Sequence, residues 1–326
     1  MCKEKIDFVI TWVDGNDKNW IKERALYLGE FGDKRNVRYR DWDLLRYWFR
    51  GVEKFAPWVN KIHFVTYGHL PEWLNINHPN LNIVKHEDFI PKQYLPTFNS
   101  HTIELNFHRI KGLSEKFVYF NDDMYLINKS NPEDFFRNNL PCDAAVLGCI
   151  CPQDDVVSNV IFNNVVILNK YFVKTDLTIK KWNYVLNLKY GKHLIRTLLL
   201  YPFGKFTGFY DFHLAIPFMK KTFEEVWQLE KKVLDTTCNN KFRTVHDVSP
   251  WIFRYWQLAK CDFVPHKVLG KYFAIGDRHS IDYILKQKNK IICCNDTEEN
   301  IDFSQNQQNL YSAFNTILPA KSKFEK

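Results

Sequence analysis

Apolar and polar positions along this chain change period repeatedly. Asp7–Val13 (DFVITWV) and the run opening KFVYF at Lys116 are short and almost continuously apolar, the pattern of strands buried on both faces. Lys61–Thr66 (KIHFVT) and Leu81–Val84 read as two more strands. Between them, Asn19–Leu28, Trp42–Phe55 and Ser100–Ile110 read as helices, and the second stops before Pro57. This alternation predicts an α/β fold with a mostly parallel, Rossmann-like sheet flanked by helices. Asn169–Phe206 reads as a helical insertion or cap, and Phe223–Leu234 and Ser249–Leu258 as further helices. The Gln- and Asn-rich segment after Asn295 reads as a weakly packed tail. At 326 residues the chain is expected to form one large unit, with a core over 1–168, a cap over 169–206, a completing segment over 207–294 and a tail over 295–326.

The strand ends carry the chemistry. The run from Lys116 ends in Asn121, Asp122 and Asp123, and the opening strand ends in Asp14, Gly15, Asn16 and Asp17. In open α/β sheets, ligands collect at the carboxyl ends of strands. Adjacent carboxylates there repel one another and lose hydration, so a cation that prefers oxygen ligands, Mg²⁺ or Mn²⁺, is expected at Asp122 and Asp123, with phosphate accompanying it. Both clusters also read as ordinary turn chemistry, since Asn, Asp and Gly tolerate left-handed backbone angles.

Composition narrows the field. Aromatic residues make up 16% of the chain, with ten Trp and sixteen Tyr, suited to stacking on sugars as well as to core packing. Lys and Arg total 45 against 37 Asp and Glu, a net charge of +8 that favours anionic substrates or surfaces. Zinc-finger spacing and RNP-like motifs are missing, which argues against nucleic acid as a partner. None of the eight Cys forms a CxxC pair, and Cys149/Cys151 and Cys293/Cys294 lie too close together to bridge easily, as expected in a reduced cytoplasm. No apolar run reaches the length of about 18 residues that spans a bilayer. His193–Phe206 mixes Leu and aromatic residues with basic ones and reads as a core helix in preference to an interfacial one.

Several segments together resemble the conserved regions of the Stealth family: DFVITWVDGND at Asp7–Asp17, RYRDWDLLRYWFRGVEKFAPWVNKIHFVTYGHLPEWL at Arg38–Leu74, LPTFNSHTIE at Leu95–Glu104 with LSEKFVYFNDD at Leu113–Asp123, and KFRTVHDVSPWIFRYWQL at Lys241–Leu258. The third region is placed at His213–Pro217, HLAIP, where Ala215 stands in for a usual proline. Leu44, Gly51 and His69 replace the family's common Glu, Ser and Gln, departures that bear on sugar specificity. Stealth proteins are sugar-1-phosphate transferases of bacterial capsule and cell-wall polysaccharides, together with the eukaryotic N-acetylglucosamine-1-phosphotransferase.

The resemblance implies transfer of a sugar-1-phosphate from a nucleotide sugar, UDP-linked, to a hydroxyl of an acceptor glycan or lipid-linked oligosaccharide. A nucleoside monophosphate departs. The leaving group is a stable anion, so the protein's task is to neutralise phosphate charge and align the attack. Asp122 and Asp123 then hold the metal, and Asp14 or Asp17 reaches the same ion or the nucleotide. Arg243 forks onto phosphate oxygens. His213, flanked by Tyr210, Phe212 and Phe218, is the expected base, kept neutral by a dehydrated site, with His246 beside Asp247 as its competitor. Arg46, Asn99, Glu104 and Asp247 are expected to contact substrate; Asn99 and Glu104 bind sugar hydroxyls or simply cap the helix they open, and Asp247 orients a histidine or anchors Arg243. A metal-dependent glycosyltransferase releasing a nucleoside diphosphate and a non-catalytic carbohydrate-binding protein are the alternatives. The expected location is the cytoplasm, at the inner face of the membrane or in a capsule assembly.

Overall fold

The computed structural model describes residues 5–28, 41–296 and 302–326. A five-stranded sheet lies at its centre. Strands β1 (Ile6–Trp12), β2 (Ile62–Thr66), β3 (Leu81–Lys85) and β4 (Lys116–Phe120) run parallel in the spatial order β3-β2-β1-β4, and the strand Ile216–Met219 closes the β4 edge antiparallel. The first two predicted helices are α1 (Lys18–Tyr27) and α2 (Leu45–Phe55).

Successive residues of a strand face opposite sides. In β1, Phe8 and Ile10 enter a core shared with α2 and the helix Phe303–Ile317, while Val9 enters a second core with the helices Lys220–Leu229 and Trp251–Lys260. Neither face is left to water, which is why the run is continuously apolar. Asp7 is the buried exception. Burial pushes its carboxyl up, but His63 Nε2 at 3.1 Å, the Asn60 side-chain amide at 2.7 Å and the Ser114 N–H at 2.8 Å outweigh that and hold it below its ordinary value.

The structure corrects the expected tail. Beyond β5 (Met124–Leu126), the strand Ile291–Asn295 pairs antiparallel with it and parallel with Gly270–Ala274. The helix Phe303–Ile317 then buries Leu310, Ala313, Phe314 and Ile317 against α2. Glu325 accepts two hydrogen bonds from Arg50, each 2.8 Å. Glutamine and asparagine occupy the wet face of that helix, so composition concealed an amphipathic element.

Other elements differ in their bounds. The expected helix Phe223–Leu234 is two helices meeting at Glu230, and Ser100–Ile110 is a short helix to Leu105 followed by a 3₁₀ turn. The helix Val156–Tyr171 crosses the expected 168/169 boundary, and the cap beyond it is built of short helical pieces. Leu194–Leu200 is not the expected core helix: Ile195, Leu198 and Leu199 are exposed. Among the described residues, no helix is long and apolar enough to cross a membrane.

Candidate active site

A cavity of about 1270 Å³ opens at the carboxyl ends of β1 and β4 and is lined by residues from both ends of the chain. A drug-sized site is about 300–1,000 Å³, so this one has room for two substrates. Its acidic floor follows from the strand pairing. β4 and β5 are joined by a turn in which Met124 N–H donates to Asn121 O at 3.2 Å, placing Asp122 and Asp123 at its apex. The strand Ile291–Asn295 then supplies partners to Asp123: Asn295 Nδ2 donates to Oδ2 at 2.6 Å, and the Cys293 thiol lies 3.4 Å from the same oxygen. Oδ1 is buried and, among the described residues, has no hydrogen-bond partner.

His213 arrives from the other side. Because Ile216–Met219 runs antiparallel to β4, the residues just before it pass the end of β4. His213 has a left-handed backbone (φ 50°), a conformation uncommon outside glycine, and its N–H donates to Asp211 Oδ1 at 2.9 Å. Its ring nitrogens stand 3.6 Å from Asp123 Oδ2 and 3.7 Å from Asp211 Oδ2, ion-pair distances. Burial alone would favour neutral imidazole, but the two carboxylates outweigh it and raise the pKa to about 10. The dehydration argument for a neutral base is thereby corrected: without ligands, His213 is a cation at neutral pH. Burial also disfavours charge on Asp123, yet His213, Asn295 and Cys293 hold its carboxyl below the ordinary range. Asp122 behaves oppositely. It faces the cavity and touches solvent there, yet protein surrounds it on its other sides. That desolvation, followed by the charges of Asp123 and Asp41, pushes its carboxyl up to about 7.

Arg243 lines the opposite wall with Ser100 and Glu104. Its Nη2 donates to Ser100 Oγ. Glu104 accepts from Tyr119 Oη at 2.9 Å, and burial raises its carboxyl despite the Arg243 charge. Asn99 and Asp247 serve this wall from behind. Asp247 is fully buried and accepts from Asn99 Nδ2 at 2.8 Å, Asn240 Nδ2 at 2.7 Å and Thr244 N at 3.0 Å, which fixes the loop that carries Arg243. Asn99 also caps the helix at Ser100. These contacts support the wall from behind, and neither residue is part of the cavity lining. His246 is exposed and outside the cavity lining.

Three more expected site residues lie apart from the lining. Asp17 accepts from Trp20 N at 2.7 Å as the N-cap of α1. Asp14 receives the Asn16 N–H at 2.9 Å, and its own N–H donates to His69 Nε2 at 2.7 Å. Arg46 pairs with Asp43 at 3.6 Å and stacks over Trp73. Conversely, Asp41, Asp211 and Asp296 line the cavity and were missed. Asp296 carried a readable signal: IICCND is a third apolar run ending in Asn-Asp, set aside as the start of a tail.

The acidic floor suits an oxygen-preferring divalent cation. Asp123 Oδ1 is a buried acceptor without a hydrogen-bond partner among the described residues, and desolvation, followed by the charges of Asp123 and Asp41, raises Asp122. Asp123, His213 and Cys293 also lie close enough together to share an ion, and such a mixed oxygen, nitrogen and sulfur set suits a softer ion than Mg²⁺ or Mn²⁺.

An α/β sheet that gathers carboxylates, an arginine and an ionised histidine at its carboxyl edge has the chemistry suited to phosphate. Comparison with known proteins shows the family. Residues 4–32 match Stealth protein CR1, conserved region 1, and residues 38–143 match Stealth protein CR2, conserved region 2. The chain is 42% identical to the capsular polysaccharide phosphotransferase WcwK of Streptococcus pneumoniae over 99% of its own length and 98% of that protein's. It is 40% identical to the exopolysaccharide phosphotransferase cps2G of Lactiplantibacillus plantarum (98% and 96% covered) and 41% identical to the receptor polysaccharide phosphotransferase WefC of Streptococcus gordonii (99% of each). The apo structure of the bifunctional glycosyltransferase WbbM aligns with 98% of this chain and 52% of that one at 11% identity and a TM-score of 0.40, too distant to bear on activity. The chain belongs to the Stealth family and is a phosphotransferase.

Proposed function

We propose that this enzyme transfers a sugar-1-phosphate from a UDP-linked donor to a hydroxyl of an acceptor glycan or lipid-linked oligosaccharide in capsule or exopolysaccharide synthesis. The relatives named for capsular and exopolysaccharide phosphotransfer support the class of reaction. The observation that carries the reading is the convergence of Asp122, Asp123, His213 and Arg243 on one cavity. Asp122 and Asp123 would hold Mg²⁺ or Mn²⁺, which supplies charge neutralisation to the donor's pyrophosphate.

The chain's own residues do the rest. Arg243, steadied by Ser100 and Glu104, binds phosphate oxygens bidentately. The acceptor oxygen bonds to the phosphorus that bears the sugar, and the bond from that phosphorus to the bridging oxygen breaks. Nucleoside monophosphate leaves with the bridging oxygen and its electron pair, and the sugar's own C–O bond survives. The proton of the acceptor hydroxyl passes to His213 once that ring has lost its resting proton, so Asp123 and Asp211 set the pH at which it acts as base. The test is the nucleotide product. Incubation with UDP-sugars and acceptor should release UMP in step with transfer, and stoichiometric UDP would instead indicate a glycosyltransferase.

A further inference from the structure

The segment Val173–Phe206 buries Leu177, Val185, Tyr190 and Phe206 but turns many other apolar side chains outward. Val173, Ile179, Trp182, Leu188, Ile195 and Leu199 are between 57% and 88% exposed, and Leu198 and Phe203 are each 56% exposed. In the helix Leu194–Leu200 the uncharged polar residue is the buried one: Thr197 Oγ1 accepts from Leu147 N at 3.1 Å while Ile195, Leu198 and Leu199 face solvent. The interior is satisfied. Lys174, itself buried, donates to the carbonyls of Leu200, Tyr201 and Phe203 and ties the start of the segment to its end. A soluble surface normally shows the reverse pattern, and exposed apolar groups gathered in one segment mark a contact surface.

Charge selects the contact. Val173–Phe206 holds seven Lys and Arg against one acidic residue, Asp176, within a chain whose net charge is +8. Asp176 is already paired with Lys180 at 2.6 Å. Lys181, Lys189, Lys192, Arg196 and Lys205 are exposed among the apolar side chains. Apolar groups interleaved with Lys and Arg are the composition of an interfacial segment that seats in an anionic bilayer. Lys192 and His193 also line the catalytic cavity, so the basic, apolar surface reaches its mouth.

We propose that Val173–Phe206 docks this enzyme on an anionic membrane surface, its apolar side chains entering the headgroup boundary and its lysines meeting acidic lipid headgroups. The cavity mouth then opens at the bilayer, where a lipid-linked substrate lies. That last clause rests on the proposed transfer reaction, whereas the docking itself does not.

Flotation with vesicles separates the two. The full-length protein should float with vesicles of two parts phosphatidylcholine to one part phosphatidylglycerol and stay behind with phosphatidylcholine alone. L198S/L199S and K180E/K181E should each lower the partition by about tenfold or more. Because those side chains are exposed, both variants should melt with the wild type, and L198S/L199S should keep full turnover on a water-soluble acceptor. Equal partition of wild type and L198S/L199S overturns the proposal, as does wild-type binding that ignores phosphatidylglycerol. If light scattering without lipid shows wild-type dimers that L198S/L199S dissociates, a second copy covers the face and the proposal fails. Vesicle binding with release of UDP would sink the transfer reading alone.

Discussion

At the residue scale, the site depends on unequal carboxylates. Asp123 is held ionised by His213 and Asn295, whereas Asp122 is pushed towards neutrality by desolvation and then by its acidic neighbours. Adjacent carboxylates repel one another and cost stability when no cation joins them. Asp122→Asn should therefore cut turnover at least about 100-fold while leaving the melting temperature unchanged or higher, and excess EDTA should silence the wild type. Full activity in EDTA would leave arginine as the sole phosphate clamp. Asp211 tests the proton account. Removing its charge destabilises the imidazolium of His213, so Asp211→Asn should move the basic rise of the kcat profile to lower pH; an unmoved rise would take His213 out of the proton path. The carboxylates at strand ends were legible because apolar runs terminating in Asp stand out in one dimension. Asp211 was not, since its role comes from an antiparallel strand that brings Asp211–His213 back past β4. The family departures also separate once placed: Leu44 lines the cavity, whereas Gly51 lets α2 approach the backbone, a Cβ there falling 2.7 Å from Leu126 O.

At the scale of elements, the four parallel strands and α1 and α2 were readable because each carries its period within itself. The C-terminal segment was not, because its meaning is tertiary: the helix Phe303–Ile317 acquires an apolar face only against α2, and Glu325 acquires a role only beside buried Arg50. Glu325→Ala should cost about 3–5 kcal/mol in urea unfolding, since it leaves a guanidinium buried without its partner. A loss below 1 kcal/mol would mean that water reaches Arg50 freely. Two histidines on neighbouring elements add an acid limit. Burial lowers His86 and His108 to about 3, so they stay neutral in the fold but take up protons near pH 6.5 when unfolded. Stability should be full above that pH and decline as the pH falls from about 6.5 towards about 3. His86→Gln/His108→Gln should flatten the decline in a pH series of melting temperatures, and an unchanged slope would assign it to other groups.

At the scale of the whole molecule, the two ends of the chain close one site. β1 and β4 make its wall from the first half, Arg243 and His213 come from the second, and Asn295 and Asp296 reach it beside the C-terminal helix. Of the expected core, cap, completing segment and tail, the tail is where the structure departs most, because separation along the sequence hides the proximity of Phe303–Ile317 to α2. The central claim is that the phosphorus bearing the donor sugar moves with it. The direct measurement is a donor labelled with ³²P at the phosphate next to the sugar, followed by separation of nucleotide from glycan. The label should appear in the acceptor as an alkaline-phosphatase-resistant phosphodiester, leaving unlabelled UMP. Label retained in UDP, with an unlabelled glycan, would contradict the account.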